Sequence, residues 1–253
     1  MTELSLPKVT LPIFTVHLPS TGEEIQMRPF ITKEEKILLM ALESDNTDEQ
    51  SLAIKQVVQN CIVEWPKTYS TLDEMPYVDF EFLFLELRKR SIGEQIFVFF
   101  DPIQNSECEE CSKIRKIEID LTEVHPKNDL TKEDMTILVV DDIGVKLKLL
   151  TVKDLKELET IKKQEGVSDI DVLFEVVART VESMFTPEKV IPITKNDLGQ
   201  IKGWLEELPI DTFQKIKEVV ARMPKIEHTI EISCSKCDFK QYYTFEGMYS
   251  FFV

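Results

Sequence analysis

The sequence predicts an α+β fold, in which an N-terminal β-hairpin with helices precedes two further β-hairpins that bracket a mainly helical insert. Short segments near both ends of the chain alternate apolar and polar residues, as half-buried strands do. Between them, apolar residues recur at three- and four-residue spacing behind helix-capping motifs. Two C-x-x-C pairs, Cys108–Cys111 and Cys234–Cys237, each fall in a polar turn between two such strands.

Residues 1–93 are predicted to form a β-hairpin followed by three helices. Alternation across residues 7–30 is interrupted by a Gly-containing turn, which favours a hairpin. The second helix is expected to continue through Trp65. The third helix, over residues 78–91, is apolar around most of its circumference, so we expect it to be buried on most sides. The signals, in chain order, are the turn at 19–22, capping residues at 32–35 and 47–50, and a terminal Gly93.

Residues 94–125 and 225–253 are predicted as two halves of one ribbon-like module, each with two strands joined at a C-x-x-C turn. Residues 126–224 form the predicted insert, with one hairpin turning at Asp141–Gly144 and four helices. These helices are expected to begin at Thr151, to run from Ser168 to Met184, to begin at Thr194, and to run from Asp211 to Met223.

The charge of the chain argues against nucleic-acid binding. The 253 residues include 30 Lys and Arg against 46 Asp and Glu, which gives a net charge of −16. Nucleic-acid affinity depends on cations that displace counterions from phosphates, and the basic cluster that we find is Arg88–Arg90. The acidity favours solubility or docking onto a basic partner surface.

No targeting or membrane segment is expected. The first ten residues show no basic region followed by an apolar run, as a secretory signal would. No stretch approaches the roughly 20 uninterrupted apolar residues of a membrane span. We therefore expect a soluble protein that is made and kept in a cytoplasm.

Four of the five cysteines, Cys108, Cys111, Cys234 and Cys237, predict a structural Zn²⁺ site in a zinc-ribbon-like module. Two residues of spacing let both thiolates of a turn reach one ion, and two turns supply a tetrahedral ligand set. The gap of about 120 residues between the pairs exceeds that of a compact site, and an insert between the two ribbon halves accounts for it. Four thiolates leave no position for water, so the ion is not catalytic. Two alternatives stay open: reduced thiols without metal and, less favoured, a redox dithiol.

The remaining cysteine and the histidines suggest no catalytic group. Cys61 lies on an apolar helix and is expected to be a small buried hydrophobe. His17, His125 and His228 are scattered, and each is interpreted as a surface or strand residue. The alternative for His125 or His228 is a position near the metal. With so few histidines, a Ser/His/Asp or Cys/His catalytic set is not expected.

The carboxylates do not form a recognisable site either. Asp141 and Asp142 lie at a predicted hairpin tip, where such residues usually serve the turn. Asp45, Asn46 and Asp48 resemble a calcium loop, but the Gly and the terminal Glu of an EF-hand are absent. Phosphate-binding glycine loops and hydrolase motifs are also absent. We therefore predict that the protein is not an enzyme.

The C-terminal residues 245–253 are rich in aromatic side chains and allow two interpretations. In the first, this tail, which includes Phe252, folds back onto the core beside Phe97, Phe99 and Phe100. In the second, it docks into a neighbouring subunit, where aromatic side chains commonly carry binding energy.

Several short segments carry a family resemblance. They are Leu18–Gly22, Met27–Phe30, Lys33–Leu39, Asn60–Cys61, Phe80–Phe84, Leu87–Gly93, the C-x-x-C that follows, and Asp141–Gly144. Together they resemble the baseplate hub proteins of T-even-type contractile-tailed bacteriophages, a family that includes hub subunits and a related protein regarded as helping hub assembly. The resemblance covers most of the chain and is densest over residues 18–93. It implies a structural role and names no active residues.

The predicted function is therefore that of a structural component or assembly factor of the tail baseplate hub. The expected partners are other phage baseplate hub and tail proteins, with no nucleic acid, no membrane and no small-molecule substrate. The expected location is the host cytoplasm during assembly and the virion tail baseplate.

Two other functions stay open. A zinc-ribbon regulator that binds a host protein would need a basic face on the ribbon, and the acidic residues Glu107, Glu109, Glu110 and Asp238 beside the cysteines argue against one. A hub-associated hydrolase would need a concave site with paired carboxylates of perturbed pKa.

Overall fold

The computed structural model describes residues 9–44, 46–102, 108–127, 130–131, 133–140 and 142–251, and these form a mixed α+β fold. The helices are α1 (Thr32–Glu43), α2 (Thr47–Cys61), α3 (Tyr77–Ser91), α4 (Val152–Lys162), α5 (Asp169–Thr180), α6 (Leu198–Glu206) and α7 (Ile210–Ala221). The strands are β1 (Phe14–His17), β2 (Glu24–Met27), β3 (Ile62–Glu64), β4 (Gln95–Phe100), β5 (Arg115–Asp120), β6 (Pro126–Lys127), β7 (Thr136–Val140), β8 (Ile143–Leu147), β9 (Val181–Phe185), β10 (Val190–Pro192), β11 (Lys225–Ser233) and β12 (Lys240–Glu246).

The described residues form two compact units. The first is drawn from residues 1–72, 81–125 and 227–253, so it contains both C-x-x-C turns. The second is drawn from residues 73–80 and 126–226. Within the described part of the chain, every helix is too short or too polar to cross a membrane.

The first unit begins with the predicted β-hairpin. β1 and β2 pair antiparallel along their whole length, and β3 pairs with the other edge of β2. The backbone N–H of Gly22 donates to the Leu18 carbonyl oxygen (2.7 Å) and closes the turn. Gly22 has a φ of 74°, a conformation that glycine adopts without strain.

Three predicted helix boundaries in the first unit are wrong. The residues at 32–35 predict that Thr32 caps α1 with Glu35 as its partner, but Ile31 is the cap. Glu34 accepts a hydrogen bond from the backbone N–H of Ile31, and Arg28 pairs with Glu34 (3.0 Å) and holds it in place. Asn46, and not Thr47, caps α2 by accepting from the Asp48 N–H (3.0 Å). The predicted continuation of α2 through Trp65 does not form, because residues 62–64 leave the helix to pair with β2.

α3 is buried around most of its circumference, as predicted. Five of its apolar side chains are each no more than 2% exposed: Phe80, Leu83, Phe84, Leu85 and Leu87. Gly93 follows the helix with a φ of 143°, and its carbonyl oxygen accepts from the Arg88 guanidinium (2.9 Å). The predicted terminal glycine is therefore confirmed.

The C-terminal tail lies in the core of the first unit. Phe251 is 1% exposed, and its ring centroid lies 6.1 Å from that of Phe245. The backbone N–H of Met248 donates to the buried Glu81 carboxylate (3.1 Å). Phe245 also contacts Phe100, whereas Phe97 and Phe99 point outward and are 41% and 63% exposed. The core interpretation is confirmed for the tail as far as Phe251, but Phe97 and Phe99 are not its neighbours in the core, and Phe252 lies outside the described residues.

The second unit contains a four-stranded antiparallel sheet in the order β10-β9-β8-β7. Helices α5, α6 and α7 contribute to the apolar core that covers one face of this sheet. The buried members of that core are Ile137, Val145, Leu147, Val177, Ala178, Val181, Ile201, Leu205 and Ile216. The insert therefore contains a sheet as well as helices. The sequence predicted the β7–β8 hairpin of this sheet, and it did not predict β9 and β10.

The predicted helix from Ser168 to Met184 is too long. Ser168 caps it as expected, but α5 ends at Thr180, and residues 181–185 form β9 between β8 and β10. The backbone N–H of Lys148 donates to the Thr180 carbonyl oxygen (2.7 Å), which ties the end of the helix to the chain leaving β8. The apolar residues beyond Thr180 have a spacing that fits both structures, and the sheet pairing decides between them.

A buried ionic cluster joins α4 and α5 in the second unit. The Arg179 guanidinium contacts Glu175 (2.9 Å), Asp154 (3.3 Å) and Glu157 (2.5 Å). Burial opposes ionisation of Glu175, but hydrogen bonds from Lys202 and Arg179 outweigh it and lower the pKa of that carboxyl. These charges are mutually neutralised, so the cluster has the character of a structural brace.

We expect Gly144→Ala to destabilise the second unit by about 1–3 kcal/mol, the usual cost of overpacking. A Cβ on Gly144 would lie 2.4 Å from Cζ of Phe185 and 2.5 Å from the backbone oxygen of Ile137, and backbone cannot move aside cheaply. Urea unfolding followed by circular dichroism measures the effect.

Gly203→Ala is the matched control, since Gly203 lies in α6 and a Cβ there meets nothing within 4 Å. This control should stabilise the protein by about 0.5–1 kcal/mol through helix propensity. An unchanged unfolding midpoint for Gly144→Ala would contradict the prediction. Asp141, in the same predicted turn, lies outside the described residues.

Candidate metal centre

The two C-x-x-C turns lie side by side in the first unit. The Sγ atoms of Cys108, Cys111, Cys234 and Cys237 all lie within 4.8 Å of one another. The Cys108 and Cys234 Sγ atoms are 3.8 Å apart, and those of Cys111 and Cys237 are 3.5 Å apart. The structure therefore brings together the four cysteines that the sequence singled out, close enough to hold a metal ion.

Two antiparallel hairpins position these turns. β4 and β5 pair along their whole length, and Cys108 and Cys111 lie in the connection between them. β11 and β12 pair up to Ser233 and Lys240, which leaves Cys234 and Cys237 in the turn. The backbone N–H of Cys234 donates to the carbonyl oxygen of Phe239, the residue directly before β12 (3.0 Å). Each cysteine pair is therefore fixed by backbone hydrogen bonds of its own hairpin.

The spacing of the sulfur atoms fits a tetrahedral metal site better than a disulfide. A tetrahedron with metal–sulfur bonds of about 2.3 Å has sulfur atoms about 3.8 Å apart. Both of these distances lie near that value, whereas a disulfide needs about 2.05 Å. None of the five cysteines, all of which lie among the described residues, forms a disulfide.

A local hydrogen bond lowers the pKa of one of these thiols, and burial raises the pKa of another. The backbone N–H of Lys236 donates to Cys234 Sγ (3.4 Å) and lowers the pKa of that thiol to about 6. Burial raises the pKa of Cys111, which is 1% exposed, to about 12. Because a metal ligand must be a thiolate, binding at this cluster would release protons.

The two cysteine turns are also joined by an ion-pair bridge. Glu110, in the first turn, contacts Lys113 (3.5 Å) and reaches Lys236 in the second turn (3.6 Å). These side chains are largely exposed, so the bridge contributes little to stability. It does neutralise part of the acidic charge that the sequence places beside the cysteines.

Cys61 lies outside this cluster and is fully buried, as predicted. Burial raises the pKa of its thiol to about 11, so almost none of it is thiolate near neutral pH. We expect Cys61→Ala to cost about 1 kcal/mol, because it removes a small buried group. The free energy of unfolding measures this cost.

The same burial predicts a labelling pattern. In folded protein with a metal chelator at pH 7.5, iodoacetamide should modify the partly exposed Cys234, whose thiol has a pKa of about 6, and leave Cys61 unmodified, which peptide mass spectrometry resolves. Rapid modification of Cys61 would show that the thiol is reactive.

The other candidate residues stay apart from the cluster. No histidine joins the four cysteines within the described residues. His17 pairs with Glu24 (3.2 Å) at the surface, and His228 lies opposite Phe245 in the β11–β12 register. Asn46 is occupied as the α2 cap, and Asp45 and Asp141 lie outside the described residues.

Sequence reasoning missed Arg115, which follows the first cysteine turn. Its guanidinium carbon lies 5.2 Å from the centroid of the Phe239 ring, which follows the second turn. Its Nε and Nη1 atoms are buried without a hydrogen-bond partner among the described residues. Its position four residues after Cys111 is visible in the sequence, but that position alone does not reveal the contact with Phe239.

Comparison with known proteins identifies the lineage. The family described as T4 bacteriophage base plate protein matches residues 11–253, which is nearly the whole chain. No curated protein and no solved structure matches this chain. Because the match includes both cysteine turns and the segment between them, the chain belongs to the T4 bacteriophage base plate protein family.

Proposed function

We propose that this protein is a non-enzymatic component or assembly factor of the baseplate hub, and that it acts through contacts with other phage hub and tail proteins. The observation that carries the proposal is the family match over residues 11–253. A baseplate is an assembly of proteins, so a member of this family is expected to act by binding its neighbours. The hub-specific role is supported by the segments that resemble hub proteins, which are densest over residues 18–93.

The ion that fits the cysteine cluster is Zn²⁺. Four thiolates in a near-tetrahedral arrangement are the ligand set of a structural zinc site. The cluster also joins two hairpins that are far apart in the sequence, as the two halves of a zinc ribbon are. Iron would suit the same four sulfur atoms, so the identity of the metal is part of the proposal.

Two features support the proposal that the protein is not an enzyme: the closed ligand set of the cysteines and the pairing of buried charged groups with one another. A fully cysteine-ligated ion keeps no open position for water or substrate. The concave surface beside Arg179 and Lys195 is narrow, and both cations are engaged by Asp154 and Glu157. This arrangement resembles a brace more than a pair of catalytic carboxylates. The proposal accordingly includes no small-molecule substrate, and the charge of −16 argues against nucleic acid as a partner.

Analysis of phage intermediates tests the function. An epitope-tagged copy should co-purify from infected cells with hub and tail proteins, and mass spectrometry of finished particles then separates the two forms of the proposal. A chain present in finished tails is a component, and a chain present in hub intermediates alone is an assembly factor that stays in the host cytoplasm. A chain absent from both would overturn the proposal.

A further inference from the structure

Arg115 occupies an unusual electrostatic position beside the cysteine turns. It opens β5, four residues after Cys111, and its guanidinium lies on the ring of Phe239, two residues after Cys237. Its Nε and Nη1 atoms are buried and donate no hydrogen bond among the described residues. A guanidinium stays charged at any pH that proteins experience, so this is a partly buried cation for which the described residues supply no anion.

No carboxylate in the described part of the chain pairs with Arg115. Glu110 is held by Lys113 and Lys236 at the tips of the two turns. A buried charge without a partner is strongly unfavourable, and protein structures rarely keep one. Four thiolates around one Zn²⁺ carry a net charge of about −2, which is an anion that can match the guanidinium.

We propose that Arg115 is the charge-balancing residue of the metal centre: its guanidinium compensates the negative charge that the four cysteines acquire when they bind zinc. The inference rests on the zinc site proposed above. The stacking on Phe239 places the cation between the strand that leaves one cysteine turn and the residue that ends the other. Arg115 therefore acts through the ligands as a positioning residue and is not a ligand itself.

The test compares Arg115→Met with Arg115→Lys and with Lys113→Met as a matched control. Lys113 also follows the first turn but is 55% exposed and already paired with Glu110. Each variant is titrated with Zn²⁺ against a chromophoric chelator, and its melting temperature is measured with metal and with excess chelator. We expect Arg115→Met to weaken zinc binding about 10- to 100-fold, the usual effect of losing a group that supports metal ligands. Arg115→Lys should recover part of the affinity, and Lys113→Met should stay within about twofold of the wild type.

A purely structural role for Arg115 predicts a different pattern. If Arg115 only packs against Phe239, Arg115→Met lowers the melting temperature equally with and without metal and leaves the zinc affinity unchanged. If it balances the metal centre, the chelated variant is at least as stable as the chelated wild type, because a buried unpaired cation has been removed. Unchanged affinity in Arg115→Met overturns the inference while leaving the zinc site intact. Failure of the wild type to bind zinc overturns the site itself, and with it this role of Arg115.

Discussion

Replacing Cys111 by Ser is expected to abolish stoichiometric zinc binding and to lower the melting temperature of the protein sharply. Cys111 is the buried ligand of the proposed set, and its Sγ lies 3.5 Å from that of Cys237. A ligand that binds the folded state alone adds about 4 kcal/mol of stability when its free concentration is a thousandfold above its dissociation constant. Loss of the site removes that contribution. Elemental analysis of protein purified without chelator, paired with calorimetry, measures both effects.

The matched control is Cys61→Ser, which changes the one cysteine outside the cluster in the same way. It should leave the zinc content at one ion per chain and lower stability through the burial of a hydroxyl. If wild-type protein contains no zinc, or if Cys111→Ser keeps a full equivalent, the assignment of the metal is wrong. One equivalent of iron in the wild type would keep the four cysteines as the ligands and change the identity of the metal.

Phe251→Ala is expected to cost about 3–5 kcal/mol, the range for removing a large aromatic side chain from a core. Phe251 is 1% exposed and packs against Phe245, which in turn contacts Phe100 and Tyr243. The cavity left at this point would lie among aromatic rings that cannot close it without moving the β11–β12 hairpin. Denaturant unfolding followed by near-ultraviolet circular dichroism reports the loss of this packing directly.

Phe99→Ala makes the same chemical change on the outward side of β4, where Phe99 is 63% exposed. It should cost less than about 1 kcal/mol, since little apolar surface is lost from the core. Equal costs for the two variants would contradict the core position of Phe251. Loss of hub binding in a Phe251→Ala variant that keeps its melting temperature would favour the interface interpretation of the tail.

Features set by local residue patterns were predictable from the sequence. The first β-hairpin, the burial of α3 and the meeting of the four cysteines follow from alternation, apolar periodicity and ligand spacing. Each of these signals is contained within a few neighbouring residues or, for the cysteines, in the chemistry of a shared ion. The caps at Thr151 and Ser168 were found for the same reason.

Features set by contacts between distant residues were not predictable. β9 has residues that fit a continued helix, and its pairing with β8 and β10 depends on segments far along the chain. The cap of α4 at Thr151 was recognised, but Arg179, which pairs with Asp154 of this capping box, lies 25 residues from Asp154. Arg115 was missed because its significance comes from Phe239 and from buried nitrogen atoms, which no local pattern reveals.

The short pairing of β6 with β11 has a consequence for how this chain tolerates change. Pro126 lies opposite Ile226 and Lys127 opposite Lys225, so the segment between them begins and ends at adjacent points of one ladder. Such neighbours are about 5 Å apart, a distance that a two-residue turn can span. Insertions and deletions within residues 128–224 can therefore leave the pairing of β6 with β11 in place, whereas a tight turn in place of the whole segment would remove the residues that pack with residues 73–80 in the second unit. We expect the greatest variation in length among members of this family to fall within that segment.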